Sequence, residues 1–420
     1  MKKNRVDIVN LGCRLNIFEG EVMNTLIKKS DIKNYTIINS CAVTEQAEKK
    51  VLYEIRKSKK YSPDKKIIVT GCAAQINPKK YAEISDVDFV IGNKEKLESS
   101  TWNNLSDNDP IKVNNIFSDN KLHNNLIEKF KGKSRAYIEI QQGCDHRCTF
   151  CIIPFGRGNN RSVPVGVIVN RITKLVDNGY NEIVLTGVDI TDYGKDLPGK
   201  PNLFQLIKRI LNLVPQLKQL RLSSIDCAEI NDDFWPLLSD KRIMPHFHLS
   251  LQAGNDLILK RMKRRHNNKQ VIDFCKKIRS FRPDVVLGAD IIAGFPTETE
   301  IMFKDSLSMI EECNLTHLHI FPYSPREGTP AARMPQVPRA IIKKRAKLLR
   351  EAGNKEMKKL LKKQIGNYAS VLVEEVKDNS SFGKSQHFIK TKIDKKINIG
   401  QIINCKITDF NDNILKGNII

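Results

Sequence analysis

Gly143-Cys144-Asp145-His146-Arg147-Cys148-Thr149-Phe150-Cys151 sets three cysteines in a Cys-x3-Cys-x2-Cys loop. The loop follows directly on Ala136–Ile140, a short apolar run of strand type. Thiolates are soft ligands that suit iron–sulfur clusters or zinc. Their number separates the two. A closed structural zinc site needs a fourth ligand, and His146, inside the loop, is awkwardly placed to complete a tetrahedron with all three cysteines. A four-iron cluster on three thiolates instead leaves one iron open to a substrate or cofactor.

The strand before the loop is the first of six. Glu182–Gly187, Gln219–Ser224, Phe247–Gln252, Val285–Ile292 and Thr316–Pro322 follow, separated by amphipathic helical patterns such as Val165–Asn178, Leu203–Val214 and Thr299–Glu312. Six βα units joined by right-handed crossovers predict a curled sheet or partial (βα)6 barrel, whose chemistry sits at the carboxyl ends of the strands. Ahead of them, Val6–Asn10, Tyr35–Asn39 and Lys66–Thr70 alternate with the helix-prone Glu19–Lys29 and Thr44–Lys60. This pattern predicts a separate parallel sheet. After the basic helix Arg339–Gln364, the short strands Ala369–Glu375, His387–Thr391 and Ile402–Thr408 predict a small all-β barrel. The chain is therefore read as α/β, with domains at 1–106, 134–364 and 365–420 and a polar linker at 107–133.

A second set of cysteines is dispersed. Cys13, Cys41 and Cys72 each follow a predicted strand and a small residue, at separations of 28 and 31 residues. Each separation is about one βαβ repeat, so the three thiols should converge at one sheet edge, where such folds bind ligands. They are read as ligands of a second four-iron cluster. Cys227, Cys275, Cys313 and Cys405 share no spacing and are read as structural.

Charge points to a polyanionic partner. Lys and Arg total 70 against 47 Asp and Glu, a formal charge of +23. Ten Lys or Arg lie between Lys343 and Lys363 against two Glu. Lys343, Lys344 and Arg345, and the run Lys260–Arg265, are candidate phosphate contacts. Met1–Arg5 lacks the apolar stretch of a secretory signal and no run reaches the roughly 18 apolar residues of a membrane span. The expected setting is cytoplasmic, with no membrane partner. Ten cysteines in such a reducing compartment argue for metal chemistry over disulfides.

The Cys144 loop, with Phe150 just before its last cysteine, resembles the radical-SAM cluster motif. Together the two cysteine sets resemble the methylthiotransferase family along nearly the whole chain, including its C-terminal barrel, called TRAM. Leu11-Gly12-Cys13-Arg14-Leu15-Asn16 and Asn39-Ser40-Cys41-Ala42-Val43-Thr44 are similar to its MtaB branch. The resemblance implies two 4Fe-4S clusters and S-adenosylmethionine (SAM). One SAM would methylate sulfur held at the Cys13/Cys41/Cys72 cluster. A second, cleaved at the Cys144/Cys148/Cys151 cluster, would supply the radical that activates C2 of N6-threonylcarbamoyladenosine beside the tRNA anticodon. An electron donor such as flavodoxin or ferredoxin and a sulfur source would be needed. Sister branches act on isopentenyladenosine or on a ribosomal protein. A reading of a different class is a non-catalytic zinc module that binds RNA. By location at strand ends, Gly187, Ser223, Ser224, Gln252, Asp290 and Gly294 are candidate SAM contacts, and Arg261 a candidate grip on the SAM carboxylate.

Overall fold

Five strands open the chain: β1 (Asp7–Asn10), β2 (Tyr35–Ser40), β3 (Lys66–Gly71), β4 (Phe89–Ile91) and β5 (Ile111–Lys112). All are parallel and pair in sequence order. In β2 and β3, five of the six residues are buried, the continuous apolar run that a parallel strand covered on both faces requires. β5 falls inside the stretch read as a linker, so that stretch extends the sheet before leaving it. The computed structural model describes residues 6–118, 127, 129–130 and 132–420. Met1–Arg5 and linker positions 119–126, 128 and 131 lie outside the described residues.

The central six strands are β6 (Ala136–Glu139), β7 (Glu182–Thr186), β8 (Gln219–Leu222), β9 (His246–Gln252), β10 (Val286–Ala293) and β11 (Leu315–Pro322). They form two three-stranded parallel sheets, ordered β8-β7-β6 and β9-β10-β11. The single bridges Leu220–Ile243 and Ile225–Leu249 stitch the halves into a partial barrel. Helices Leu203–Leu213 and Asn268–Phe281 each begin with a capping box, Asn202 with Gln205 and Asn267 with Gln270. The apolar core runs from β6 through β11 to Ala346 and Leu349 of the long helix Arg339–Gln364.

A closed barrel ends the chain: β12 (Tyr368–Lys377), β13 (Ser380–Ser385), β14 (Lys390–Ile393), β15 (Ile402–Asn411) and β16 (Ile414–Ile419). It is docked on the amino ends of the central strands. Arg221 donates to the Ser385 and Gln386 carbonyls at 2.9 and 3.0 Å. Arg135 pairs with Glu374 at 2.5 Å. Phe388, at φ +63°, stacks on His246 with ring centroids 5.2 Å apart. Among the described residues, no helix is long and apolar enough to cross a membrane.

Candidate active site

The three dispersed cysteines do end successive strands. Cys13 immediately precedes the helix α1 (Arg14–Ile27), Cys41 follows β2, and Cys72 opens the helix after β3. Two glycines make the convergence possible. At Gly12, φ +91°, a Cβ would sit 2.7 Å from the Cys41 sulfur; at Gly71, φ +94°, it would meet the Ser40 carbonyl at 2.3 Å. Any side chain would push the strand ends apart.

The second triad lies in a loop pinned at several points. The Cys144 N–H donates to the Gly158 carbonyl, and the Thr149 hydroxyl donates to the Arg261 carbonyl at 2.7 Å. The Arg264 guanidinium lies 3.7 Å from the Cys148 sulfur while donating to Asp226 at 2.7 Å. Burial pushes the Cys41, Cys144 and Cys151 thiols up to about 12. A bound metal would be needed to hold them as thiolates at neutral pH.

Spacing bears on the kind of metal. A tetrahedral zinc ion, with Zn–S near 2.3 Å, draws its thiolates to within about 4 Å of one another. Among the described residues, the groups of three whose ligand atoms lie within 4.8 Å are Asp226–Cys227–His266 and His248–Asp290–His319. Neither cysteine triad is one of them.

The triads share one interface. The short helix α2 (Ile153–Arg157) starts two residues after Cys151, and a Cβ on its Gly156 would lie 3.2 Å from that of Cys72. Asn93 donates to the Gly156 carbonyl at 2.5 Å and points the same amide at the Cys72 sulfur, 3.7 Å away. Arg157 donates to Glu19 at 2.6 Å and to Asn16 at 2.7 Å. Lys96 donates to the same Glu19 at 2.7 Å, to Asn93 at 2.6 Å and to Asn39 at 3.1 Å. Burial by itself would raise the Glu19 carboxyl, but Arg157 and Lys96 outweigh it and hold the group at about 2. Two cations against one carboxylate leave a net positive charge beside Cys13 and Cys72; at Cys13 burial outweighs it and pushes the thiol up.

A cleft of about 210 Å³ opens between the two domains, lined by Val43 and Thr44 from one and by Phe150, Gln252, Asp290 and Tyr323 from the other. Gln252 holds φ +74°, a strained conformation that clusters at functional sites. Ser223 and Ser224 are half-buried at the end of β8, their hydroxyls without a hydrogen-bond partner among the described residues. A larger cleft, about 630 Å³ around Lys218, Met244 and Gln386, lies at the junction with the C-terminal barrel.

Several expected contacts are otherwise engaged. Gly294 donates its N–H to Glu298 and faces Ile342, where a Cβ would lie 2.5 Å from that side chain. Gly187 backs onto Gln141, at 2.8 Å by the same measure. Both shape strand ends. Arg261 donates to the Thr297 hydroxyl at 2.8 Å, and Asp290 is held by His248 and His319, each at 3.0 Å. Arg345 is corrected as a phosphate contact: it is buried and pairs with Glu298 at 2.9 Å. Arg264 and Arg265 are likewise turned onto Asp226 and onto Asp189, Asp192 and Glu229. Lys343 and Lys344 are exposed.

Sequence reading missed Glu19, Asn93, Lys96 and Arg157, and it took Arg264, within the Lys260–Arg265 run, for a phosphate contact. Asn93 and Lys96 follow the end of β4, so the strand-end rule that found the cysteines reaches them too.

Residues 138–310 match the radical SAM superfamily, and residues 5–92 match a family described as uncharacterized protein family UPF0004. Among solved structures, the fold is similar to that of a radical S-adenosylmethionine methyltransferase, TsrM, from Kitasatospora setae. The TM-score is 0.53 at 14% identity, over 75% of this chain and 67% of that one. The cysteine loop at the barrel mouth and these likenesses define a radical-SAM enzyme. Its relatives narrow the class. The chain is 52% identical to the threonylcarbamoyladenosine tRNA methylthiotransferase MtaB of Rickettsia prowazekii, over 99% of this chain and 98% of that protein. It is 30% identical to a tRNA-2-methylthio-N(6)-dimethylallyladenosine synthase of Endomicrobium trichonymphae, over 98% of this chain and 99% of that protein. The chain belongs to the MtaB family of tRNA methylthiotransferases, whose radical-SAM chemistry uses SAM and a 4Fe-4S cluster.

Proposed function

We propose that this enzyme attaches a methylthio group to C2 of N6-threonylcarbamoyladenosine at position 37 of tRNA, using two SAM molecules and a second 4Fe-4S cluster on Cys13, Cys41 and Cys72. The observation that carries this reading is a cleft between the two domains with Val43 and Thr44, just past Cys41, on one wall and Phe150, between Cys148 and Cys151, on the other. The closer relation to the MtaB protein of Rickettsia prowazekii than to the dimethylallyladenosine synthase of Endomicrobium trichonymphae supports the choice of base. Isopentenyladenosine and a ribosomal protein side chain remain the alternative acceptors.

When bound, the cluster on Cys144, Cys148 and Cys151 with SAM supplies a carbon radical strong enough to activate an aromatic C–H, which acid–base groups cannot do. The chain's own part is electrostatic and steric. Arg157 and Lys96 offset the negative charge gathered at Cys13, Cys41 and Cys72, and Arg264 does the same at Cys148. Ser223, Ser224 and Gln252 offer hydrogen bonds to nucleoside and methionine groups, with Arg261 and Asp290 behind them. Phe150, Val43 and Tyr323 keep water from the radical. A flavodoxin or ferredoxin and a sulfur donor complete the system, in the cytoplasm.

Mass spectrometry of nucleosides from tRNA of cells with and without the gene tests the reading. The 2-methylthio derivative of N6-threonylcarbamoyladenosine should vanish in the knockout; its persistence would reject the assignment. Phosphate contact is tested by salt. Each contact adds roughly 0.7–0.9 to the slope of log affinity against log salt. Replacing exposed Lys343 and Lys344 by Glu should therefore flatten the slope and weaken tRNA binding. Parallel lines for wild type and variant would make these lysines a solvated face only.

A further inference from the structure

Arg14 stands out among the interior arginines by the lack of a direct partner. The other described arginines that are not exposed, Arg171 apart, each have a hydrogen bond or ion pair within the protein, and Arg171 has Glu139 as its electrostatic partner. Arg14 is half-buried and has no hydrogen bond or ion pair among the described residues. Its recorded contact is the Phe388 ring, 5.9 Å from the guanidinium carbon. Tyr137, Glu182 and Asp290 lie within electrostatic reach of the guanidinium, as does the cation Arg135. Those two carboxylates are already engaged. Glu182 pairs with Arg135 at 2.5 Å and Arg221 at 2.7 Å, and Asp290 with His248 and His319. The Tyr137 hydroxyl likewise has no hydrogen-bond partner among the described residues.

Position gives this cation a meaning. Arg14 directly follows Cys13, at the start of α1, which packs on β6. Its electrostatic neighbours stand on β6, β7 and β10, so it bridges from the first cysteine triad to the inside of the barrel. A half-buried cation without a direct ion pair has donors to spare for an anion that arrives with a ligand. The base proposed above carries a free carboxylate on its N6 substituent, close to the C2 edge; isopentenyladenosine carries none there.

We propose that Arg14 binds the carboxylate of the threonylcarbamoyl group and so determines which modified adenosine is accepted. This rests on the substrate reading of the preceding subsection. The pairing is charge-assisted and bidentate by geometry, and Arg suits it better than Lys.

The test uses full-length reconstituted enzyme and anticodon stem-loops carrying N6-threonylcarbamoyladenosine, its methyl ester or isopentenyladenosine. Wild type should prefer acid to ester by roughly tenfold to a hundredfold in kcat/KM, the worth of one charged hydrogen-bonded pair. Arg14→Gln should lose that factor on the acid and change little on the ester, so the two substrates become equivalent; Arg14→Lys should keep part of the preference. Iron content per chain reports whether the variant keeps its clusters. If Arg14→Gln loses iron, the wild-type acid-to-ester ratio and Arg14→Lys still decide. Equal turnover of acid and ester by wild type overturns the assignment. So does an equal loss on both substrates in Arg14→Gln, the behaviour of a phosphate contact. Wild type that modifies only the isopentenyl stem-loop would instead overturn the substrate reading itself.

Discussion

With Cys144, Cys148 and Cys151 all replaced by Ala, the anaerobically reconstituted protein should lose half of its roughly eight irons and all measurable SAM cleavage. With Cys13, Cys41 and Cys72 replaced instead, it should lose the other half, continue to cleave SAM, and form no methylthio product. The contrast follows from the geometry. The first set sits in the loop after β6 at the barrel mouth, and the second ends β1, β2 and β3 of the neighbouring sheet. Iron analysis and detection of 5′-deoxyadenosine read the two outcomes separately. Unchanged iron in the second variant would show that the dispersed thiols hold no cluster.

Glu19→Gln should destabilise the protein by about 3–5 kcal/mol, the usual cost of stripping a buried charge of its partner. Glu19 and Lys96 are fully buried and Arg157 nearly so. Neutralising the carboxylate leaves two cations in the domain interface without compensation. Denaturant unfolding of the metal-free protein measures the loss, and Glu19→Gln with Lys96→Met should be milder than the single change. Equal losses in single and double variants would remove Lys96 from the account. The sign of the pH dependence is fixed as well. Because the carboxyl is held at about 2, below its unfolded value, its contribution is full above the ordinary carboxylate range. It is lost only as pH falls toward 2.

Both triads and their supporting strands were legible because each signal was local: an apolar run, a small residue, a cysteine. The third dimension was less so. Ser380–Ser385 buries Ser381, Gly383 and Ser385 while exposing more of Phe382 and Lys384, so hydrophobic alternation gives no strand there. The strand expected at His387–Thr391 begins instead at Lys390, because Gln386–Phe388 folds away onto the central barrel. Composition marked Arg339–Gln364 as basic but could not show its faces; Arg345 falls with Ile342, Ala346 and Leu349 on the buried stripe. The Glu19–Lys96–Arg157 network joins residues 77 and 138 positions apart, and no local pattern announces it.

The C-terminal barrel sets the order in which the enzyme can be completed on the ribosome. Arg221 of the catalytic barrel finds its Ser385 and Gln386 carbonyls, Arg135 its Glu374, and Asn181 the Gly400 carbonyl at 2.7 Å, only in the last segment made. His246 has the Phe388 ring as its cover, and Arg135, Arg221 and Lys384 surround that ring at 5.0–5.3 Å. Until those residues emerge, the floor of the catalytic barrel stands open, with buried donors short of acceptors. A nascent chain stopped before residue 385 is thus an unfinished catalyst as well as one lacking its terminal barrel, and quality control would meet it as a folding defect.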